Sequence, residues 1–362
     1  MRKLALLLGS LLVVASASAK EVVPAPVVVE EAPVQVIEKE VIVYRDKEVG
    51  FRPNGYVSLK YKYYGDIEEQ DFRHDGMKSN YGRTEIMGYI NMTEKQSLEY
   101  RTRTYNDWNH KSTSGDPKTV GKEDTQVRLR YYYNHGLLGD SKVDFTSHVE
   151  YIHDYDDVQK SHYEARFNFA DYMFNNDYVK TTDFTLAPRY GYDWDSNDSN
   201  YANRLGLALY TNTKLPLGFN LELNFYAQEF FYGNDKEWGL DKKKDDKNFQ
   251  IDMELYLTNN VNLYTNGKHA IDFTVDMGYD PYTWSENDKV YGGKIDRVKS
   301  EDDVEYKLYA RPGVKYTYSV TPTMNAFVHL EAEYANFKYS NENSSRDFRW
   351  QPLATVGMKT TF

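Results

Sequence analysis

The chain has 362 residues, a formal net charge of −11 and a mean hydropathy of −0.75. It contains no cysteine, which excludes disulfides, cysteine metal sites and a lipid anchor at a cleavage-site cysteine. The acidic balance argues against nucleic acid as a partner. The 34 Tyr, 17 Phe and 5 Trp exceed what an ordinary soluble domain needs and are typical of the aromatic girdles of transmembrane barrels.

Residues 1–19 have the pattern of a secretory signal peptide. Arg2 and Lys3 precede a short apolar run, and Ala17-Ser18-Ala19 provides a small-residue cleavage site. The apolar run is well below the ~20 residues of a spanning helix. The sequence therefore predicts export and cleavage after Ala19.

Residues 20–53 differ in composition from the rest of the chain. Pro24, Pro26 and Pro33 stand among Val and Glu residues and disfavour a single regular element. We expect a periplasmic extension, either a flexible linker or a segment that contacts the cell wall or the barrel lumen.

From residue 54 onward, apolar and polar residues alternate in segments of about ten. Period-two alternation predicts strands with two different faces. Fourteen segments show it: residues 57–63, 85–92, 98–103, 127–133, 143–150, 163–169, 184–190, 204–209, 219–225, 249–257, 271–277, 304–315, 324–333 and 350–362. The even number matches bacterial single-chain barrels, in which both ends lie on one side of the membrane.

Short and long connections alternate between these segments. Short turns are predicted at 93–96, 135–140 and 320–323, and long charged loops at 106–123, 232–246 and 281–301. The third outer loop, at about 154–161, is predicted to be short, which argues against an inward-folded loop that narrows the lumen. In the absence of such a loop, the side chains of the barrel wall would have to narrow the lumen.

The prediction for residues 54–362 is an all-β, antiparallel transmembrane barrel in the outer membrane of a Gram-negative bacterium. The apolar rows carry no charge, and a tilted strand of about ten residues crosses hydrocarbon. A soluble sandwich remains the alternative. Phe362 ends the last strand as an aromatic assembly signal. The expected partners are the barrel-assembly machinery, membrane lipid and lipopolysaccharide.

Several segments resemble the major outer-membrane porins of fusobacteria (the FomA type). They are residues 1–20, 41–48, 52–55, the Asp171-Tyr172 pair and the end 349–362, and the likeness covers the whole chain only in layout. The resemblance implies a trimeric, non-specific, voltage-gated diffusion porin.

Charged residues of the polar rows separate into two groups around the predicted ring. The basic pore-lining residues are Lys60, Lys62, Arg83, Arg101, Arg103, Arg128 and Arg130, with Glu85 and Glu99 the chief acids among them. The acidic pore-lining residues are Glu222, Asp252, Glu254, Asp272 and Asp276. In a fourteen-strand ring the groups would face each other and set up a transverse field. The alternative is that each charge is balanced locally.

Other chemistry has weaker support in the sequence. His148 and His153 precede three aspartates, but no nucleophile accompanies them, so no catalysis is expected. The run Asp193 to Asp198 lacks the glycine and glutamate of a calcium loop, so no specific metal site is expected, and loose divalent binding shared with lipopolysaccharide phosphates is favoured instead. No cofactor is expected.

The sequence predicts a general diffusion porin for ions and small hydrophilic solutes. An adhesin that uses the long surface loops remains the alternative.

Overall fold

The computed structural model describes residues 50–68, 80–107, 125–154, 158–195, 201–238, 243–286, 304–339 and 349–362. Pro53–Thr361 forms one compact unit, and the second unit, Met1–Arg52 with Phe362, lies almost wholly outside the described residues. The predicted signal peptide and residues 20–49 of the predicted extension therefore stay predictions.

The Pro53–Thr361 unit is a single closed antiparallel barrel of fourteen strands, in which each strand pairs with its neighbours in sequence and β1 pairs with β14. The strands are β1 Asn54–Tyr64, β2 Tyr81–Asn91, β3 Gln96–Asp107, β4 Thr125–Leu137, β5 Asp144–His153, β6 Val158–Asn168, β7 Lys180–Asp195, β8 Tyr201–Lys214, β9 Asn220–Trp238, β10 Lys243–Asn266, β11 His269–Ser285, β12 Val304–Ser319, β13 Met324–Tyr339 and β14 Arg349–Thr361. The prediction of fourteen strands is confirmed, and the two-sheet sandwich alternative is wrong.

The barrel has an apolar outside and a polar inside, the reverse of a soluble core. Leu205 and Leu330 on the outer face are 54% and 58% exposed, whereas Glu85 and Glu164 on the inner face are each 1% exposed. This follows from the alternation, because successive side chains of a strand point to opposite faces. Closure of the sheet also pairs the backbone groups that lipid cannot satisfy.

A closed barrel with this inside–outside pattern is built to span the outer membrane of a Gram-negative bacterium, which is where the chain resides. The helices in the described part of the chain are the single turns Ala170–Tyr172 and Pro216–Gly218. Neither has the length or the hydropathy for a membrane-spanning helix.

The expectation of uniform strands of about ten residues is wrong on the β9–β10 side of the barrel. Strand β9 has 19 residues and β10 has 24. Most of the long loop predicted at 232–246 is instead strand, with Lys243 paired to Trp238. The alternation fades there because charged residues occur on both faces, so the pattern gave no strand signal although the backbones still pair.

All six connections at the end where β1 begins are described, and five of them have six residues or fewer. They are residues 92–95, 138–143, 169–179, 215–219, 267–268 and 320–323. The turn predicted at 135–140 lies later, because a bulge between Asn134 and Gly136 keeps His135 to Leu137 in β4. At the opposite end, β5 and β6 are separated by 154–157 only, so the third outer connection is short as predicted.

Candidate functional site: a charged cavity in the barrel lumen

A polar cavity of about 820 Å³ lies inside the barrel, lined by side chains of β3 to β11. Six arginines and seven carboxylates line it, and Met253 is its one aliphatic residue within the described part of the chain. Strand alternation produces this lining, because the inward row of each strand carries its charged residues. A lumen of this kind favours water and hydrophilic solutes over apolar ones.

One side of the cavity, here called the basic wall, consists of Arg101 and Arg103 on β3 and Arg128 and Arg130 on β4. Most of these guanidinium groups have a carboxylate partner on a neighbouring strand. Arg103 pairs with Glu85, Arg128 with Glu99 at 2.5 Å, and Arg130 with Glu99 at 3.5 Å and with Glu150. The charge of the basic wall is therefore largely compensated by neighbouring glutamates on β2, β3 and β5.

Arg101 is the exception within the basic wall. It lies directly opposite Arg128 in the β3–β4 register, a placement in which like charges repel. Its Nη2 donates to the neutral Oε1 of Gln126 at 2.9 Å, and it forms no ion pair with the described residues. The basic wall thus keeps an excess positive charge at this point.

The opposite side, here called the acidic wall, consists of Glu222 on β9, Asp252 and Glu254 on β10, and Asp280 on β11. Neutral donors satisfy these carboxylates. Asn224 donates to Glu222 at 2.9 Å and to Glu254 at 3.2 Å. Gln250 and Thr283 each donate to Asp252 at 2.8 Å, and Tyr256 is hydrogen-bonded to Asp280.

Unlike the basic wall, the acidic wall has no oppositely charged partner among the described residues. Among the residues that the structure describes, none of its four carboxylates forms an ion pair with Lys, Arg or His. The two walls line the same cavity, and Arg130 is close enough to Glu254 to interact with it electrostatically. The structure thus brings predicted residues of opposite charge to two facing sides of one lumen.

The other predicted pore-lining residues lie outside this cavity. Lys60 pairs with Glu85 at 2.6 Å, and Lys62 pairs with Glu331 at 3.1 Å. Arg83 lies 5.8 Å from the centre of the Tyr64 ring, and Asp272 accepts from Asn262 at 2.8 Å. Asp276 pairs with Arg311 at 3.1 Å. Lys60, Lys62 and Asp276 are each neutralised by a nearby partner of opposite charge, so these three residues do not contribute to a transverse field.

Sequence reasoning missed a buried network on β5 and β6. His148 Nδ1 lies 2.9 Å from Glu164 Oε2, and His162 Nδ1 lies 3.0 Å from Glu150 Oε1. Antiparallel pairing places each histidine opposite a glutamate because both strands carry the spacing His-x-Glu. That repeated spacing was the available signal. Arg189 also belongs to the network, because its Nη2 lies 3.1 Å from His162 Nδ1.

A second cavity, of about 430 Å³, adjoins the first toward the short-turn end of the barrel. Tyr132, Arg166 and Asp183 line both cavities, and the second also touches the β2–β3 turn at Thr93 to Lys95. The two cavities therefore share part of their lining, and the second lies nearer that mouth.

In the described part of the chain, no group of three or more His, Asp or Glu residues is arranged to hold a metal ion. Asp193, the first residue of the acidic run considered above, pairs with Arg204 at 2.6 Å. Residues 196–198 of that run lie outside the described residues.

No protein-family model matches the chain, and no curated protein matches it. Solved outer-membrane barrels resemble it in fold. A bacterial polysaccharide outer membrane secretin is 13% identical with a TM-score of 0.36, covering 85% of this chain and 98% of that one. The NanC porin is 10% identical with a TM-score of 0.32, covering 84% and 100%. The trimer form of OmpT from Vibrio cholerae is 8% identical with a TM-score of 0.35, covering 86% and 99%.

Similarity this low says nothing about the function of the chain, which depends on its own side chains. The resemblance to fusobacterial porins, and the trimer and voltage gating that it implies, stay predictions.

Proposed function

We propose that the protein is a water-filled diffusion channel that passes ions and small hydrophilic solutes across the outer membrane. The observation that carries this proposal is the charged cavity between the basic and acidic walls, together with the polar cavity beside it toward the short-turn mouth. Side chains of this polarity keep water in the lumen, because their transfer from water would be costly.

The channel prefers cations weakly in this proposal. Glu85, Glu99 and Glu150 compensate most of the basic wall, whereas the carboxylates of the acidic wall form no ion pair with the described residues. Fields inside a narrow lumen are screened less than those on an open surface, so this imbalance acts on passing ions.

Planar-bilayer recording tests the channel directly. Purified, folded protein should insert in discrete conductance steps, and liposomes that contain it should admit sugars at rates that fall with sugar size. The same preparation unfolded by heat is the control. A barrel that is folded by electrophoretic mobility yet gives neither conductance nor sugar entry would contradict the proposal.

The proposed role is passive transport rather than catalysis. On the outer face His135 Nε2 lies 2.9 Å from Ser147 Oγ, which is the spacing of a base and a nucleophile. However, His135 has no carboxylate partner among the described residues to orient it, as a hydrolase triad requires. The adhesin alternative depends on the predicted outer loops, most of which lie outside the described residues, and no contact described here favours it.

The proposal includes a homotrimer, on the strength of the resemblance, and recognition of Phe362 by the assembly machinery. Phe362 follows β14 directly and is 43% exposed. Chemical cross-linking in native membranes should give a three-subunit product. Deletion of Phe362 should lower the amount of folded barrel, compared with the change Phe362→Tyr, which keeps an aromatic end.

A further inference from the structure

We propose that the cavity between the two walls is a binding subsite for small zwitterions, namely free amino acids and short peptides. The solute carboxylate binds at Arg101 and Arg128, and its ammonium group binds at Gln228, Asp252 and Glu254. This inference rests on the proposed channel function and names a solute class for it.

The basic wall offers hydrogen-bond donors that the protein leaves unused. The Nε atoms of Arg101 and Arg128 are buried and have no hydrogen-bond partner among the described residues. The two side chains lie directly opposite each other, and only Arg128 pairs with an acid. A carboxylate placed between two guanidinium groups would relieve their repulsion and accept from both.

His148 adds a further polar atom on the same side of the cavity. The residue is 4% exposed, and its Nδ1 contacts Glu164 at 2.9 Å. Its Nε2 is buried without a partner in the described part of the protein, although His148 lines the cavity. Buried polar groups are normally hydrogen-bonded, so an unused one at the edge of a cavity points to a ligand.

The acidic wall offers the complementary acceptors. Gln228 is 5% exposed, and its Nε2 lies 3.4 Å from Asp252 Oδ2, while its Oε1 is buried and has no partner among the described residues. Asp252 and Glu254 beside it accept from neutral groups and form no ion pair with the described residues. An ammonium group has three N–H donors, one for the amide oxygen of Gln228 and one for each of the two carboxylates.

Facing walls of opposite charge favour a zwitterion over an ion of either sign. An anion drawn to Arg101 and Arg128 meets the uncompensated carboxylates, and a cation drawn to those carboxylates meets the two arginines. A zwitterion interacts favourably with both walls at once. The cavity, about 820 Å³, also lies within the range of roughly 300–1,000 Å³ usual for small-molecule sites.

Recording K⁺ current through single channels near neutral pH tests the subsite. Glycylglycine, a zwitterion, should interrupt the current in a concentration-dependent way, whereas N-acetylglycinamide, of similar size and without charge, should not. N-acetylglycine and glycinamide provide the single-charge comparisons and should block less than glycylglycine.

Two variants address one wall each. Arg101→Gln and Gln228→Met should each weaken the block by glycylglycine roughly tenfold, as loss of a charge-assisted hydrogen bond or of a buried acceptor implies. Lys359→Gln is the matched control, because Lys359 lies 4.1 Å above the Tyr56 ring and does not line the cavity. Glycylglycine should block this control variant as strongly as it blocks the wild type.

The outcomes separate the two proposals. A conducting channel that glycylglycine and N-acetylglycinamide block equally would overturn the zwitterion subsite and leave the channel standing. Equal block by either singly charged analogue, or an equal loss of block in Lys359→Gln, would also overturn the subsite. No conductance from folded protein would overturn the channel itself.

Discussion

Arg101 and Arg128 face each other directly across the β3–β4 register, and only Arg128 has a carboxylate partner, Glu99 at 2.5 Å. Two arginines in this position repel each other and weaken the sheet. A functional role in the lumen accounts for their presence better than stability does. On the facing wall, Glu222 and Glu254 share the amide of Asn224 rather than a cation.

The inside–outside assignment predicts opposite results for one substitution type at two positions. Leu207 is 46% exposed near the middle of β8 on the lipid face, so Leu207→Arg should cost ~2–4 kcal/mol and reduce assembly. Asn224→Arg places the same side chain beside Glu222 and Glu254, where it finds ion-pair partners, and should assemble. Electrophoresis without heating measures the folded fraction, and equal assembly of both variants would refute the assignment.

The buried network on β5 and β6 predicts that Glu164 supports the barrel wall. Its side chain accepts from Tyr210 at 2.7 Å, contacts His148 at 2.9 Å and pairs with Arg189 at 3.7 Å. Glu164→Gln should lower the free energy of unfolding by about 1–3 kcal/mol, because one carboxylate oxygen becomes a donor and leaves a buried partner without its acceptor. Urea unfolding followed by tryptophan fluorescence measures the change. Glu94→Gln, at an exposed turn position, is the control and should unfold like the wild type.

The close approach of β10 and β11 predicts that Gly278 tolerates no side chain. A Cβ there would collide with the backbone carbonyl oxygen of Leu255. A Cβ at Gly82 would instead meet the hydroxyl end of the Tyr61 side chain, which can move aside. Gly278→Ala should therefore destabilise the barrel by about 1–3 kcal/mol, as overpacking does, and Gly82→Ala should cost less. Equal midpoints of thermal unfolding in the two variants would show that the β10–β11 contact is not tight.

Alternation of apolar and polar residues was enough to predict fourteen strands, their order and which face meets lipid. It worked because lipid and water enforce a period of two within the membrane. It failed for the ends of β9 and β10 and placed the β4–β5 turn too early, because no lipid-imposed alternation marks the outer ends and the bulge between Asn134 and Gly136 breaks the register.

The candidate site was only partly predictable from sequence. The pattern identified which charges point inward, but it could not pair them across strands. Arg130 and Glu150, or Lys62 and Glu331, meet only once the register and ring closure are known. Asp272 and Asp276 belong to the inward row but lie outside the cavity, because position along the strand is not fixed by alternation alone.

The zero-current potential across a KCl gradient tests the two-walled channel most directly. The wild type should show a weak cation preference. Arg101→Gln with Arg128→Gln should increase that preference, and Glu222→Gln with Asp252→Asn and Glu254→Gln should shift the potential toward anions. Lys359→Gln should shift it least, and all shifts should shrink at high salt because screening lengths shorten. Shifts of the two wall variants in the same direction, or no shift in either, would contradict a lumen with opposed charged walls.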